Sequence, residues 1–167
     1  MTIEESNRTV LVGIDGSANS LAALRWALRE GAATGSPVEV VHCWIPQTLT
    51  DVALGSSQEL QVASACMLQN EVAAALADVG PDPVSGRMPV VTQLSRHGNP
   101  TAILPERSAG ARLLVLGART STALSDLFRG NVESACRRHA ACPVVVVDER
   151  KDAVRHHPAP HTQAVSQ

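Results

Sequence analysis

The residues best suited to chemistry in this chain lie between Leu113 and Val147, in LLVLGARTSTALSDLFRGNVESACRRHAACPVVVV. Gly117 ends one apolar run, Gly130 meets a helical pattern, and a loop joins them. Glycine lets backbone amides approach a bound group closely, and a helix N-terminus aims free N–H groups at an anion. The chemistry implied is phosphate binding; a plain turn and helix entry is the other reading of the same two glycines. Asp15, in VGIDGS at 12–17, is a second candidate. Its carboxylate can accept hydrogen bonds from a ligand or from its own turn, since Asp-Gly is also a turn signal.

These residues need a scaffold, and the hydropathy pattern supplies one. Apolar runs at 9–14 (TVLVGI), 38–43, 89–94 (PVVTQL), 113–116 and 144–147 read as strands. Helical patterns fill 18–34, 57–79, 100 to about 109, and about 131–139. Pro100 opens the third of these helices, and breakers sit at 35–37 (GSP), 80–83 (GPDP) and 97–100 (HGNP). The alternation predicts an α/β fold: a doubly wound, five-stranded parallel sheet with right-handed crossovers and helices on both faces. Ligands then bind beyond the carboxyl ends of the strands, where strand order reverses. GIDGS, HCW and the Gly117 loop all end there. The expected organisation is a flexible N-terminus at 1–7, one domain at 8–148 and a disordered tail at 149–167.

Composition narrows the function classes. Fourteen basic against sixteen acidic residues give a net charge of -2, with one Phe, two Trp and no Tyr. There is no basic stripe and no set of stacking platforms for nucleic acid. No apolar run approaches the ~18 residues of a membrane span. The polar, acidic start MTIEESNRTV is unlike a secretory signal, and the four cysteines form no CxxC pair, so the expectation is a cytoplasmic protein with reduced thiols.

Over residues 8–148 the chain resembles the universal stress proteins, a family of flavodoxin-like, adenine-nucleotide-binding domains. VGIDGS at 12–17, VVHCW at 40–44, HGNP at 97–100 and the segment ending in CPVVVV carry the resemblance. ATP-binding members have glycine, two residues, glycine, nine residues, glycine, then Ser or Thr. Gly117 and Gly130 match the first and third glycines; Thr120 replaces the second, and Asn131 stands where Ser or Thr is usual. Asn caps a helix as well as Ser does. Thr120 costs about 1–2 kcal/mol if its backbone must adopt φ > 0, although its hydroxyl can replace a lost contact.

The resemblance implies that Asp15 hydrogen-bonds the nucleoside, Gly13 lets it approach the first strand and the Cys43 backbone meets the adenine edge. Gly117, Arg119 and Thr120 wrap ribose and phosphates, with Gly130, Asn131 and Val132 at the helix start. Arg119 reads equally as a solvated loop charge. The implied ligand is ATP, with AMP and cyclic AMP as alternatives and magnesium as an accompaniment to ATP. The implied partner is a second copy of the chain. The family commonly pairs its last strands, and Val144 to Val147 at a sheet edge would otherwise leave backbone groups free.

Enzyme readings lack their motifs. GxxxxGK[ST] and GxGxxG are absent, and no Ser–His–Asp set is arranged to act together. Cys136, His139 and Cys142 have metal-like spacing without a fourth ligand, and read instead as thiols near the last strand. A regulatory nucleotide-binding module is the expectation, with a nucleotide-free interaction protein as the alternative and weak ATP hydrolysis as the remotest.

Overall fold

A computed structural model describes residues 8–45, 57–118, 132–151 and 153–160. Strand β1 (Val10–Ile14) leads to helix α1 (Ala18–Thr34), β2 (Val38–Trp44), α2 (Ser57–Val79), β3 (Val91–His97) and α3 (Pro100–Arg107). Then come β4 (Leu113–Gly117), α4 (Val132–His139), β5 (Val144–Asp148), a 3-10 turn (Glu149–Lys151) and β6 (Ala153–His157). The sheet order is β3-β2-β1-β4-β5-β6. The first five strands pair in parallel, so the expected crossovers and their reversal between β1 and β4 are present.

Period-two alternation along the strands builds a core on each face. Val10, Val12, Val38, Val40, Val115 and Val145 face α1 and α2, where Leu24, Leu28, Leu68 and Val72 meet them. Leu11, Val41, Leu114, Leu116, Val144 and Val146 face the other side, with Leu104 of α3 and Cys136 of α4. Burial of these aliphatic side chains, about 1.5–3 kcal/mol each, is the main term holding the layers together. Local chemistry fixes the helix ends. Ser17 caps α1, its hydroxyl accepting from the Ser20 amide, and Gly35 stops the helix at φ 74°. Asn99 caps α3 just before Pro100.

Three sequence expectations are corrected. The third strand starts later than Pro89 and runs through to His97, because Val91 to His97 pair with the whole of β2 while a proline lacks the N–H for a ladder. The sheet has six strands rather than five, and where a disordered tail is expected residues 149–151 form a 3-10 turn and residues 153–157 a strand: β6 lies antiparallel on β5, from Val144↔His157 to Asp148↔Ala153. As a consequence Val144 to Val147 are not a free edge. The open backbone groups foreseen there are paired within the same chain, so the argument that they require a second copy does not hold. Residues 1–7 and 161–167 lie outside the described residues.

β6 carries a pH dependence. Burial of His157 pushes its imidazolium form down; Arg137 of α4 acts the same way, Glu133 opposes, and Arg155 and His156 add to the lowering. The His156 ring meets Trp26 of α1 edge-on, with centroids 6.1 Å apart. Because the docked pKa lies below the free value of about 6.5, the undocked strand binds the proton more readily, and docking weakens as pH falls through that value. Backbone NMR signals of residues 153–157 are expected to move toward disordered positions between about pH 7 and pH 5 while β1 and β4 stay put. Signals unchanged at pH 5 would contradict this.

Candidate functional site

The candidate site forms at the carboxyl ends of β1, β2 and β4. Gly13 pairs with Val41, so Cys43 lies two residues further along β2 and on the same face. The last β1–β4 pair is Val12↔Val115, with Gly117 two residues beyond it. Gly13, Asp15, Cys43 and Gly117 are therefore gathered at one end of the sheet, around its order reversal. Val132 begins α4 and packs partly buried against the α3–α4 side of the core. Arg119, Thr120, Gly130 and Asn131 lie outside the described residues.

Asp15 is exposed, and one carboxylate oxygen accepts from the Ser17 amide at 3.0 Å. The Asp15 amide donates to the Ser20 hydroxyl at 3.3 Å, and that hydroxyl donates to the Ser17 carbonyl at 2.9 Å. The carboxylate thus sits in a turn that the helix start itself holds, at the carboxyl end of β1.

Both described glycines have a packing reason that the sequence does not announce. A β-carbon on Gly117 would strike the main chain of Asn19 and come within 2.5 Å of the Ser20 nitrogen. One on Gly13 would come within 2.8 Å of the Leu104 side chain. Gly117 therefore brings the end of β4 against the first turn of α1. That close approach is a packing role, separate from anything the glycine allows a ligand to do.

Asn19 is the residue that sequence reasoning misses. It is 3% exposed. Its amide nitrogen donates to the Ala118 carbonyl at 2.7 Å and its oxygen accepts from the Glu149 amide at 3.1 Å. The only sequence signal is a polar residue on the stripe that continues through Ala23 and Leu24, the buried face of α1.

Cys43, Cys136 and Cys142 are sheltered thiols rather than nucleophiles. Burial pushes Cys43 up to about 11, against a lowering by the Arg96 charge. Burial pushes Cys136 up to about 12, with Cys142 and Cys43 adding, and Cys142 up to about 11 despite a hydrogen bond with Ser108. All three remain neutral at physiological pH, which suits an adenine contact through the Cys43 backbone rather than its sulfur. Cys136 and Cys142 are core residues whereas His139 is exposed, so the three do not converge on a metal.

A shallow cleft of about 700 Å³ lies beside this region, lined by Trp44, Gln58, Gln61, Ser95, Arg96 and His97. Trp44 lies 4.8 Å from the His97 ring, centroid to centroid. None of the expected site residues among the described ones lines this cleft. It opens between β2 and β3, where the order does not reverse, so the β1/β4 crevice remains the better candidate. No helix among the described residues is long and apolar enough to cross a membrane.

A model of the universal stress protein family matches residues 6–148. Universal stress protein Rv2623 of Mycobacterium tuberculosis is 31% identical over 170 residues, covering 95% of this chain and 53% of that protein. Universal stress protein Rv1996 of the same organism is 27% identical over 180 residues, covering 99% and 55%. The chain spans about half the length of the curated relatives it matches. Among solved structures, universal stress protein UspA from Lactobacillus plantarum aligns with a TM-score of 0.64 at 20% identity, over 84% of this chain and 97% of that one. A universal stress protein in complex with cAMP aligns with a TM-score of 0.60 at 22% identity, over 85% and 97%.

Proposed function

Since this chain belongs to the universal stress protein family, we propose that it binds an adenine nucleotide in the β1/β4 crevice and acts as a cytoplasmic regulatory module of a stress response rather than as an enzyme. The observation that carries the proposal is the convergence of Gly13, Asp15, Cys43 and Gly117 on the one point where strand order reverses. The Asp15 carboxylate would hold the nucleoside hydroxyls and the Cys43 backbone the base edge. ATP is the proposed ligand, with magnesium accompanying it. The similar protein crystallised with cAMP supports an adenine nucleotide in this fold, and keeps cyclic AMP as the second reading: its single phosphate asks less of a loop carrying Thr120. Occupancy would act by differential affinity for two states of the protein. Self-pairing through Val144 to Val147 belongs to this proposal only where β6 has first left that edge.

Calorimetric titration with ATP, ADP, AMP and cyclic AMP, with and without magnesium, tests this. ATP is expected to bind most tightly, and at about 100 times its Kd to add about 2.7 kcal/mol of stability, roughly 5–10 °C in Tm for a domain of this size. A preference for cyclic AMP would favour the second reading. Neither heat nor a thermal shift at millimolar ATP would leave a nucleotide-free interaction protein.

A further inference from the structure

Three chain segments meet at the carboxyl end of the sheet through one side chain. The Asn19 carboxamide joins the Ala118 carbonyl to the Glu149 amide, and the Ala118 amide donates to the Val147 carbonyl at 2.6 Å. The Asn19 main chain is seated directly on Gly117. Ala118 follows β4 on the crevice side. Glu149 opens the 3-10 turn that carries the chain into β6. Val154, Arg155 and His156 are exposed, His156 keeping its edge contact with Trp26, so the ladder to β5 is the main attachment of β6 and His157 its half-buried end. The position of Glu149, and so the register of β6, hangs on a group whose other hand holds the end of β4. The arm to Ala118 is a buried hydrogen bond and the arm to Glu149 a part-buried one, so losing either leaves a sheltered polar group poorly satisfied, and neither end can shift alone without cost.

We infer that Asn19 is a positioning residue that couples the end of β4, and thereby the β1/β4 crevice, to docking of the C-terminal strand. The ligand half of this rests on the nucleotide reading above; the coupling itself does not. Coupling is reciprocal. A ligand that orders Gly117 and Ala118 tightens β6, and releasing β6 weakens the ligand by the same factor. The β5 edge is then covered or uncovered according to what the crevice holds.

The test uses the full chain and amide hydrogen exchange at Ala118 and at residues 153–157. A Val154→Pro/Arg155→Pro pair removes β6 from the ladder. Asn19→Asp keeps an acceptor for Glu149 and sets a second acceptor against the Ala118 carbonyl, so it breaks that arm while leaving the other. Without ligand, the proline pair is expected to speed exchange at Ala118 about 5-fold or more in the parent, and to add nothing in the Asn19→Asp background. With ATP, exchange in 153–157 slows in the parent but not in Asn19→Asp, and the proline pair weakens ATP by a comparable factor. A merely structural Asn19 would lower stability in every variant and leave the effect of the proline pair alike in both backgrounds. That result overturns the inference, as does an unchanged Ala118 in the folded proline variant. An effect that persists in Asn19→Asp would also overturn it, since the path would then run through β5. Ligand-free coupling with no response to ATP would uphold the role of Asn19 while refuting the nucleotide reading.

Discussion

Gly117→Ala is expected to lower stability by about 3 kcal/mol, the upper part of the usual range for overpacking, or roughly 6–12 °C in Tm. The added β-carbon would meet the Ser20 nitrogen at 2.5 Å and the Asn19 carbonyl oxygen at 2.6 Å. These are main-chain atoms in the first turn of a helix, and they cannot rotate away as a side chain tip does. Either α1 or the end of β4 must move, and both frame the crevice, so nucleotide affinity should fall with stability. Gly110→Ala is the control. Its β-carbon would meet nothing within 4 Å, but its φ is 83°, so the change costs only the strain of a left-handed backbone, about 1–2 kcal/mol. Thermal melts of the two variants separate contact from conformation. A Gly117→Ala protein that melts with the parent would refute the close approach of β4 to α1.

Asp15→Ala is expected to weaken adenine nucleotide binding by roughly 10- to 150-fold, the equivalent of one hydrogen bond to a charged group at about 1.5–3 kcal/mol. The same change should cost the fold less than about 1 kcal/mol, because the side chain is exposed and its bond to the Ser17 amide closes a turn that the Ser17–Ser20 cap also supports. Asp15→Asn keeps an oxygen for that turn and removes the charge, so it should melt like the parent while binding more weakly than it. Calorimetry on the three proteins decides. Equal affinities would reduce Asp15 to the turn residue that its Asp-Gly sequence equally allows.

Much of the fold is legible because apolar strands and helices carry their periods in their own residues. The runs around Val12, Val40, Val115 and Val145 are buried on both faces of the sheet and read as strands without help. Ser17, Gly35 and Asn99 mark helix ends by chemistry that acts over a few residues. β6 is different in kind. AVRHH has no apolar alternation, and its order comes from hydrogen bonds to a neighbour's open edge, which no local pattern encodes. The edge itself is foreseeable from the four valines of β5; what fills it is not, because a second copy and the chain's own next segment solve the same problem equally well. In the site, Asp15 and the glycines are visible as residue types near strand ends. The use of Gly117 against α1 and the two arms of Asn19 depend on residues that are 98 to 130 positions apart in sequence, and only the folded geometry brings them together.

The antiparallel course of β6 also decides where the polypeptide leaves the sheet. Because His157 is level with Val144, the chain exits beside the amino ends of β4 and β5, at the pole opposite the crevice. A label, surface anchor or fused reporter carried where the chain leaves β6 would stand off from the crevice by about the length of the strands. Immobilisation through that end would leave the crevice open to solution, and so would an amino-terminal attachment, because β1 enters the sheet at the same pole.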